Sequence, residues 1–513
     1  VPGESVRLTE NVENKDGTEN NDTFNATSTF AQGTGQVDTL QNGDSVDGKG
    51  GDDTLDAELG ATGKVNIAPT LTSVEGLTLS SFNDSRLNAV NIPDVGRITI
   101  DSSVANTIVS NLQNPSPVSV SNITGAVDTV VGHTGNALSG NTELPLTLEN
   151  LITDDAGGGI FLTSSTGSGT IQQLDITTNG TVDIAGIDDD PNGTANAPTN
   201  TPVNVGTPGS FTFPTGNDDV ALDGLSTVNV TANGDADLSE IGTDTIQTFN
   251  AAGSTGDVAV KLTESAENQD ITITGGTGDD VVVIGKALEG NDNDTIDLGD
   301  GTDRLVITGD AEESAYDISN VEELFINTVG TAGGTGNTVN ADAFSDIETF
   351  IIDSDDDSDD TTINGLVDDA SIEITDGAPD DDADVLVSAD LNGANTVGSD
   401  DTINVTLNSA DDDGTSNNPT KFQVTTLDVK GFENVNIEST GQPNADNLIT
   451  NLDANADETV TITGDRDLEI DDQVDATKID ASSFTGALTV ELANEDQEVL
   501  GGDGDDTFII APA

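Results

Sequence analysis

Two nine-residue stretches combine residue types and spacing that can hold a cation. Residues 275–283 read G-G-T-G-D-D-V-V-V and residues 501–509 read G-G-D-G-D-D-T-F-I. Both fit G-G-x-G-x-D-x-U-x, where U is a large apolar residue. Looser copies stand at 17–25 (G-T-E-N-N-D-T-F-N), 48–56 (G-K-G-G-D-D-T-L-D), 289–297 (E-G-N-D-N-D-T-I-D) and 298–306 (L-G-D-G-T-D-R-L-V). The glycines let the backbone curl tightly and expose its carbonyls, several of them through positive φ. The aspartate at the sixth position adds a carboxylate to the same turn, and the residue two further on points inward and fixes the next strand. Stacking one such turn over another gathers carbonyl and carboxylate oxygens from both. An oxygen-only cage of about six to eight ligands suits calcium, whereas magnesium keeps its waters and zinc calls for His or Cys.

The sixth-position carboxylates are Asp22, Asp53, Asp280, Asp294, Asp303 and Asp506. Asp47, Asp56, Asp297, Asp300 and Asp503 are further candidate ligands. So are the turn glycines Gly275, Gly276, Gly278, Gly501, Gly502 and Gly504. No D-x-D-x-D-G run leads to a glutamate at its twelfth position, so an EF-hand loop is excluded.

The elements that must position these turns are strands. Short alternating runs bounded by Gly or Asx recur throughout, among them Arg97-Ile98-Thr99-Ile100, Ile271-Thr272-Ile273, Ile372-Glu373-Ile374, Val460-Thr461-Ile462 and Leu488-Thr489-Val490. A pattern apolar–x–x–apolar–x–apolar appears as Val74/Leu77/Leu79, Ile171/Leu174/Ile176, Leu225/Val228/Val230, Val321/Leu324/Ile326, Ile347/Phe350/Ile352 and Phe432/Val435/Ile437. In four copies a glutamate follows the first apolar residue: Glu75, Glu322, Glu348 and Glu433. Repetition of one such unit is how a solenoid reads, because each coil buries its apolar face only against its neighbours. The expected fold is all-β: parallel β-solenoid or β-helix regions interspersed with cation-binding β-roll turns.

At these nonapeptides the chain resembles the RTX family, the repeats-in-toxin proteins secreted by type I systems. In layout it is similar to RTX-type surface-layer proteins of bacteria: T-E-N-N-D-T-F-N-A, then V-D-G-K-G-G-D-D-T-L, then V-E-x-U-x-U strands. The resemblance implies calcium-filled parallel β-rolls, secretion and a place at the cell surface. The nonapeptides cover roughly a tenth of the chain and the looser layout covers most of it. Lys49 replaces the second glycine of its repeat, Asn20 and Asp292 replace fourth-position glycines, and no long uninterrupted array exists.

Divided along these lines, the chain has a calcium-binding entry segment at 1–60 and β-solenoid at 61–187. A Pro/Asp-rich loop or connection follows at 188–219, then further solenoid at 220–268. A β-roll cluster occupies 269–306, a second solenoid region 307–495, and a closing repeat 496–513. Acidic runs at 353–360, 380–382 and 411–413 read as solvated surface loops.

Composition narrows the function. In 513 residues, 13 Lys plus Arg stand against 96 Asp plus Glu, a formal net charge of −83. Two carboxylates about 4 Å apart repel by roughly 1 kcal/mol in water and roughly 4 at an effective dielectric of 20. Compaction therefore calls for cations, and the charge argues against nucleic acid and anionic membrane as partners. With no Cys there are no disulfides, which leaves metal as the available cross-link. The absence of Met suggests a processed piece of a longer product, and neither a signal peptide nor a transmembrane segment is visible. His133, the only histidine, has no Ser, Cys or ligand partner in sequence and reads as a lone surface residue. Cysteine nucleophiles, G-x-S-x-G and H-E-x-x-H are missing, and no carboxylate pair stands out as a glycosidase pair.

The expectation is a non-enzymatic, calcium-dependent structural protein outside the cell. It would associate with itself into a surface layer, filament or matrix, with cell-surface polysaccharide as a second partner. A fragment of a large RTX adhesin that binds a surface or glycan is the alternative, and a β-helical polysaccharide-modifying enzyme the remoter one. Extracellular calcium modules bind at roughly 10⁻⁴ to 10⁻³ M, so such a chain folds only after export.

Overall fold

The protein is described by a computed structural model covering residues 3–31, 35–61, 65–140, 142–153, 158–164, 169–189, 222–243, 245–262, 270–284, 294–308, 317–327, 337–341, 344, 346–353, 360–375, 385–391, 401–409, 421–429, 431–442, 445–454, 459–493 and 496–510. Two compact units divide the chain: residues 1–283 with 298–301, and residues 284–297 with 302–513.

In the first unit, from Gly76 onward, strands pair in parallel mostly with the next strand but one, so a coil gives one strand to each of two ladders; nearer the start, Asn14–Asp16, Ser45–Asp47 and Thr70–Thr72 form a separate parallel ladder and Thr29–Ala31 pairs antiparallel with Gly35–Val37. One ladder runs through Thr54–Leu59, Gly76–Ser81, Arg97–Asp101, Val118–Thr124, Thr142–Ile152, Ile171–Asp183 and Thr227–Ala232. The other runs through Val65–Ile67, Ser85–Asn88, Thr107–Leu112, Thr129–His133 and Ile160–Ser164. Alternation explains the burial. Leu55, Leu77, Ile98, Val118, Leu146, Ile176 and Val230 lie in register as one inward column, each at most 2% exposed. Each such side chain contributes roughly 1.5–3 kcal/mol by leaving water. The outward column one residue on is Asp56, Thr78, Thr99, Ser119, Thr147, Thr177 and Thr231. Strands in a ladder lie about 4.8 Å apart, so a carboxylate at every coil would repel its neighbours, and hydroxyl side chains fill the column instead.

The second unit is built the same way. One ladder passes through Arg304–Thr308, Glu323–Asn327, Thr349–Asp353, Ala370–Thr375, Thr402–Ser409, Asn434–Gly441, Thr459–Gly464, Lys478–Asp480 and Glu498–Leu500. The other ends in Leu468–Val474, Leu488–Leu492 and Thr507–Ile510. In one outward column Glu373, Thr406, Glu438 and Thr463 alternate acid with hydroxyl. Asp428 and Asp453 are an exception, standing opposite each other.

The expected all-β parallel solenoid is the fold observed. The apolar hexads are its inward columns, buried throughout apart from half-buried Ile347. The only helical element among the described residues that spans a full turn is the 3₁₀ segment Ala89–Asn91. No helix among them is long and apolar enough to cross a membrane. Strands on either side of residues 190–221 pair directly, Leu174 opposite Val228, which places both flanks of the Pro/Asp-rich stretch in one ladder. That stretch itself, from residue 190, lies outside the described residues, as do the acidic runs 380–382 and 411–413 and all of 353–360 but its two ends.

His133 is not at the surface. It closes the strand Thr129–His133 opposite Leu112 and Ser164 and is 0% exposed, because the alternation that turns Val131 inward turns residue 133 inward too. Among the described residues neither ring nitrogen has a hydrogen-bond partner, and burial pulls its pKa down to about 4.

Candidate metal centre

At three of the nonapeptide corners the sixth-position aspartate makes the same two kinds of hydrogen bond. Asp280 Oδ2 accepts from the Gly276 amide four residues back (2.7 Å), and Oδ1 accepts from the Val258 amide one coil away (2.8 Å). Asp506 repeats this with Gly502 (2.8 Å) and Leu488 (3.1 Å), and Asp22 with Thr18 and Glu4 (both 2.5 Å). One oxygen closes the turn and the other joins it to the neighbouring coil. At Asp22, Oδ1 also accepts from the Thr18 hydroxyl (3.1 Å).

Asp53 differs. Its Oδ1 accepts from the Asp22 amide at 2.6 Å, while Oδ2, wholly buried, has no hydrogen-bond partner among the described residues. A Cβ placed on Gly48 would collide with both Asp53 Oδ2 and the Ser73 carbonyl oxygen, so both oxygens face the space that this glycine leaves. Burial pushes the Asp53 carboxyl up, the Asp22 amide bond opposes this, and the charges of Asp22, Glu75 and Asp52 add to the rise. Asp280 is likewise raised, first by burial, against the hydrogen bonds from Gly276 and Val258. Asp22 is lowered, chiefly by the Glu4 and Thr18 amides.

Asp294 and Asp303 are also buried at strand entries. Asp303 donates its amide to Glu322 Oε2 (2.7 Å), and its carbonyl accepts from the amides of Glu322 and Glu323. Asp53 does the same with Glu75 (2.8 Å to Oε2), and Asp401 with Glu433 (3.0 Å). The glutamate of the hexad is therefore a clasp that grips the amide of an acidic residue one coil away. Residues 289–293, the first part of one loose repeat, lie outside the described residues.

The other candidate ligands are more scattered. Asp47 pairs with Lys49 at 2.7 Å, so an ammonium stands where the repeat has its second glycine; Lys49 reaches Asp16 as well and takes φ 74°. Asp56 points outward, Asp297 accepts from Asn320 Nδ2 (2.7 Å), and Asp300 and Asp503 are exposed. Of the glycines, positive φ occurs at Gly51, Gly299 and Gly301, but at none of Gly275, Gly276, Gly278, Gly501, Gly502 and Gly504. Five of them are glycine because another segment passes too close for a side chain, as at Gly276 against the Ser254 carbonyl and Gly502 against that of Ala481, whereas Gly501 makes room for the Asp506 carboxylate of its own turn.

Sequence reading missed several equivalent corners. Asp38, Asp44, Asn106 and Asp128 are buried Asx residues placed before a hydroxyl and an apolar residue: D-T-L, D-S-V, N-T-I and D-T-V. Asp44 accepts from the Glu13 and Gln41 amides, Asp38 from those of Gly60 and Ala61, and Asn106 from that of Asp128. The usable signal is Asx–Thr/Ser–apolar, which the nonapeptide contains and which extends beyond it.

As a test of fit for calcium, the donors at these corners are carboxylate and carbonyl oxygens, the set a hard cation takes. The Asp53–Ser73–Gly48 corner meets it with a buried, unpartnered carboxylate oxygen. Among the described residues no three acidic or imidazole side chains converge on one point, so carbonyls and water would complete any shell. No protein-family model matches the sequence, and no curated protein matches it.

Proposed function

We propose that this chain is an extracellular structural protein, without catalytic activity, whose coils are cemented by calcium and which associates with itself into a surface layer, filament or matrix. The supporting observation is the Asp53 corner: a buried carboxylate with one oxygen unpartnered and a carbonyl beside it, in a chain of net charge −83. An ionised carboxylate held there is destabilising unless a cation compensates it. Bound calcium would supply charge compensation at that corner, held by Asp53 and the Ser73 carbonyl. Asp22, Asp280, Asp294, Asp303 and Asp506 are the corresponding acids at the other corners. Cation binding then counts as folding free energy, and a millimolar requirement confines the folded state to the outside of the cell.

Thermal unfolding followed by circular dichroism, in excess chelator and in 5 mM calcium, tests this. The folded fraction or the midpoint rises with calcium if the reading holds, and identical curves overturn it.

A further inference from the structure

One acid outside the nonapeptides repeats the feature that marks the Asp53 corner. Asp38 follows the antiparallel hairpin of Thr29–Ala31 and Gly35–Val37, which stands apart from the parallel ladders. It is 2% exposed. Its Oδ1 accepts from two successive amides just past the strand Thr54–Leu59, those of Gly60 (2.6 Å) and Ala61 (2.8 Å). Its Oδ2 is sealed from solvent and has no hydrogen-bond partner, and no ion pair reaches the residue. Residues 33–41 read G-T-G-Q-V-D-T-L-Q, without the second and fourth glycines of the nonapeptide, so the repeat pattern does not assign this corner.

Oxygen donors gather around the same glycine. A Cβ on Gly60 would strike the side-chain amide of Gln36. Gln36 spends its Nε2 on Ser28 Oγ (2.7 Å), and Ser28 donates its amide and its hydroxyl to Glu58 Oε2 (3.1 and 3.2 Å). Gln36 Oε1 takes no hydrogen bond from any described residue. An ionised carboxylate buried with one oxygen unpartnered is destabilising until a positive charge compensates it. Here no basic side chain does so.

We infer that Asp38 Oδ2 and Gln36 Oε1 hold a calcium ion that pins the hairpin to the neighbouring coil. A carboxylate oxygen and an amide carbonyl oxygen are donors that calcium takes, and backbone carbonyls and water complete such a shell. The site rests on the calcium reading above and adds to it a position that the nonapeptides do not predict.

Asp38→Asn keeps an acceptor for the Gly60 and Ala61 amides and removes the charge. In the parent chain, 5 mM calcium should slow amide exchange at residues 60 and 61 at least tenfold. In Asp38→Asn it should slow exchange at residue 22, beside Asp53, but not at 60 and 61. An anomalous-scattering map of parent crystals grown in 5 mM calcium should place an ion about 2.3–2.6 Å from Oδ2, and this holds the test open if the variant does not fold. A map without an ion there, or equal slowing at 60 and 61 in both proteins, overturns the site while leaving the Asp53 corner standing. Exchange at these amides that slows with acid and ignores calcium assigns the counter-charge to a proton and also overturns it. A parent chain whose exchange ignores calcium at residues 22, 60 and 61 alike overturns both readings.

Discussion

At the scale of single residues, two buried titratable groups respond to acid in opposite directions. The pKa of His133 in the folded chain is about 4, against an ordinary value of 6.5. Below pH 6.5 the unfolded chain therefore takes up the proton first, and stability falls as pH drops from 6.5 to 4. The full loss is about 3 kcal/mol. His133→Leu should abolish this slope, which is read as the difference between the two proteins in urea midpoint against pH. Asp53 behaves in reverse: its folded pKa is raised, so cation-free protein gains stability as pH falls through that raised value. Asp53→Asn keeps an acceptor for the Asp22 amide and turns a donor toward the Ser73 carbonyl. It should stabilise the chelated protein by about 1–2 kcal/mol and remove that corner's response to calcium. A calcium increment equal to the parent's would argue that Asp53 is a clasp and nothing more.

At the scale of elements, the clasps and close glycines hold neighbouring coils together. Glu433→Ala strips the Asp401 amide of its acceptor and should cost about 1.5–3 kcal/mol, the range for bonds to charged groups, with Glu433→Gln recovering most of it. Amide exchange at residue 401 locates the effect. Gly299, at φ 99° and with no room for a Cβ beside the Gly276 carbonyl, should lose more than about 1 kcal/mol as Gly299→Ala. The strands themselves were legible in the sequence, because alternation such as Leu77-Thr78-Leu79 decides which side chains enter the core. The clasps were not. Glu4 and Asp22 are 18 residues apart, Asp53 and Glu75 22, and Asp401 and Glu433 32, so no fixed period links an acid to the amide it holds. The nonapeptide was visible as a pattern, but its glycines admit two causes, torsion or proximity. Only the path of the neighbouring coil decides for proximity at Gly276 and Gly502.

At the scale of the whole molecule, 96 acidic residues make ionic strength and specific binding separable. Sodium chloride near 1 M shortens the Debye length to about 3 Å and should raise the melting temperature of chelated protein by screening alone. Calcium at about 1 mM hardly changes the screening, so any rise it produces beyond matched sodium chloride measures occupied sites. An equal response at matched ionic strength would leave only a diffuse counter-ion cloud. The parallel stacking of successive coils has a mechanical corollary. Under tension from its ends, such a polymer yields one winding at a time instead of rupturing wholesale. A winding of 18 residues, such as that from Glu4 to Asp22, would lengthen the tether by roughly 6 nm and one of 32, from Asp401 to Glu433, by roughly 11 nm, so an optical trap should record a staircase of small extensions whose unequal heights follow the coil lengths.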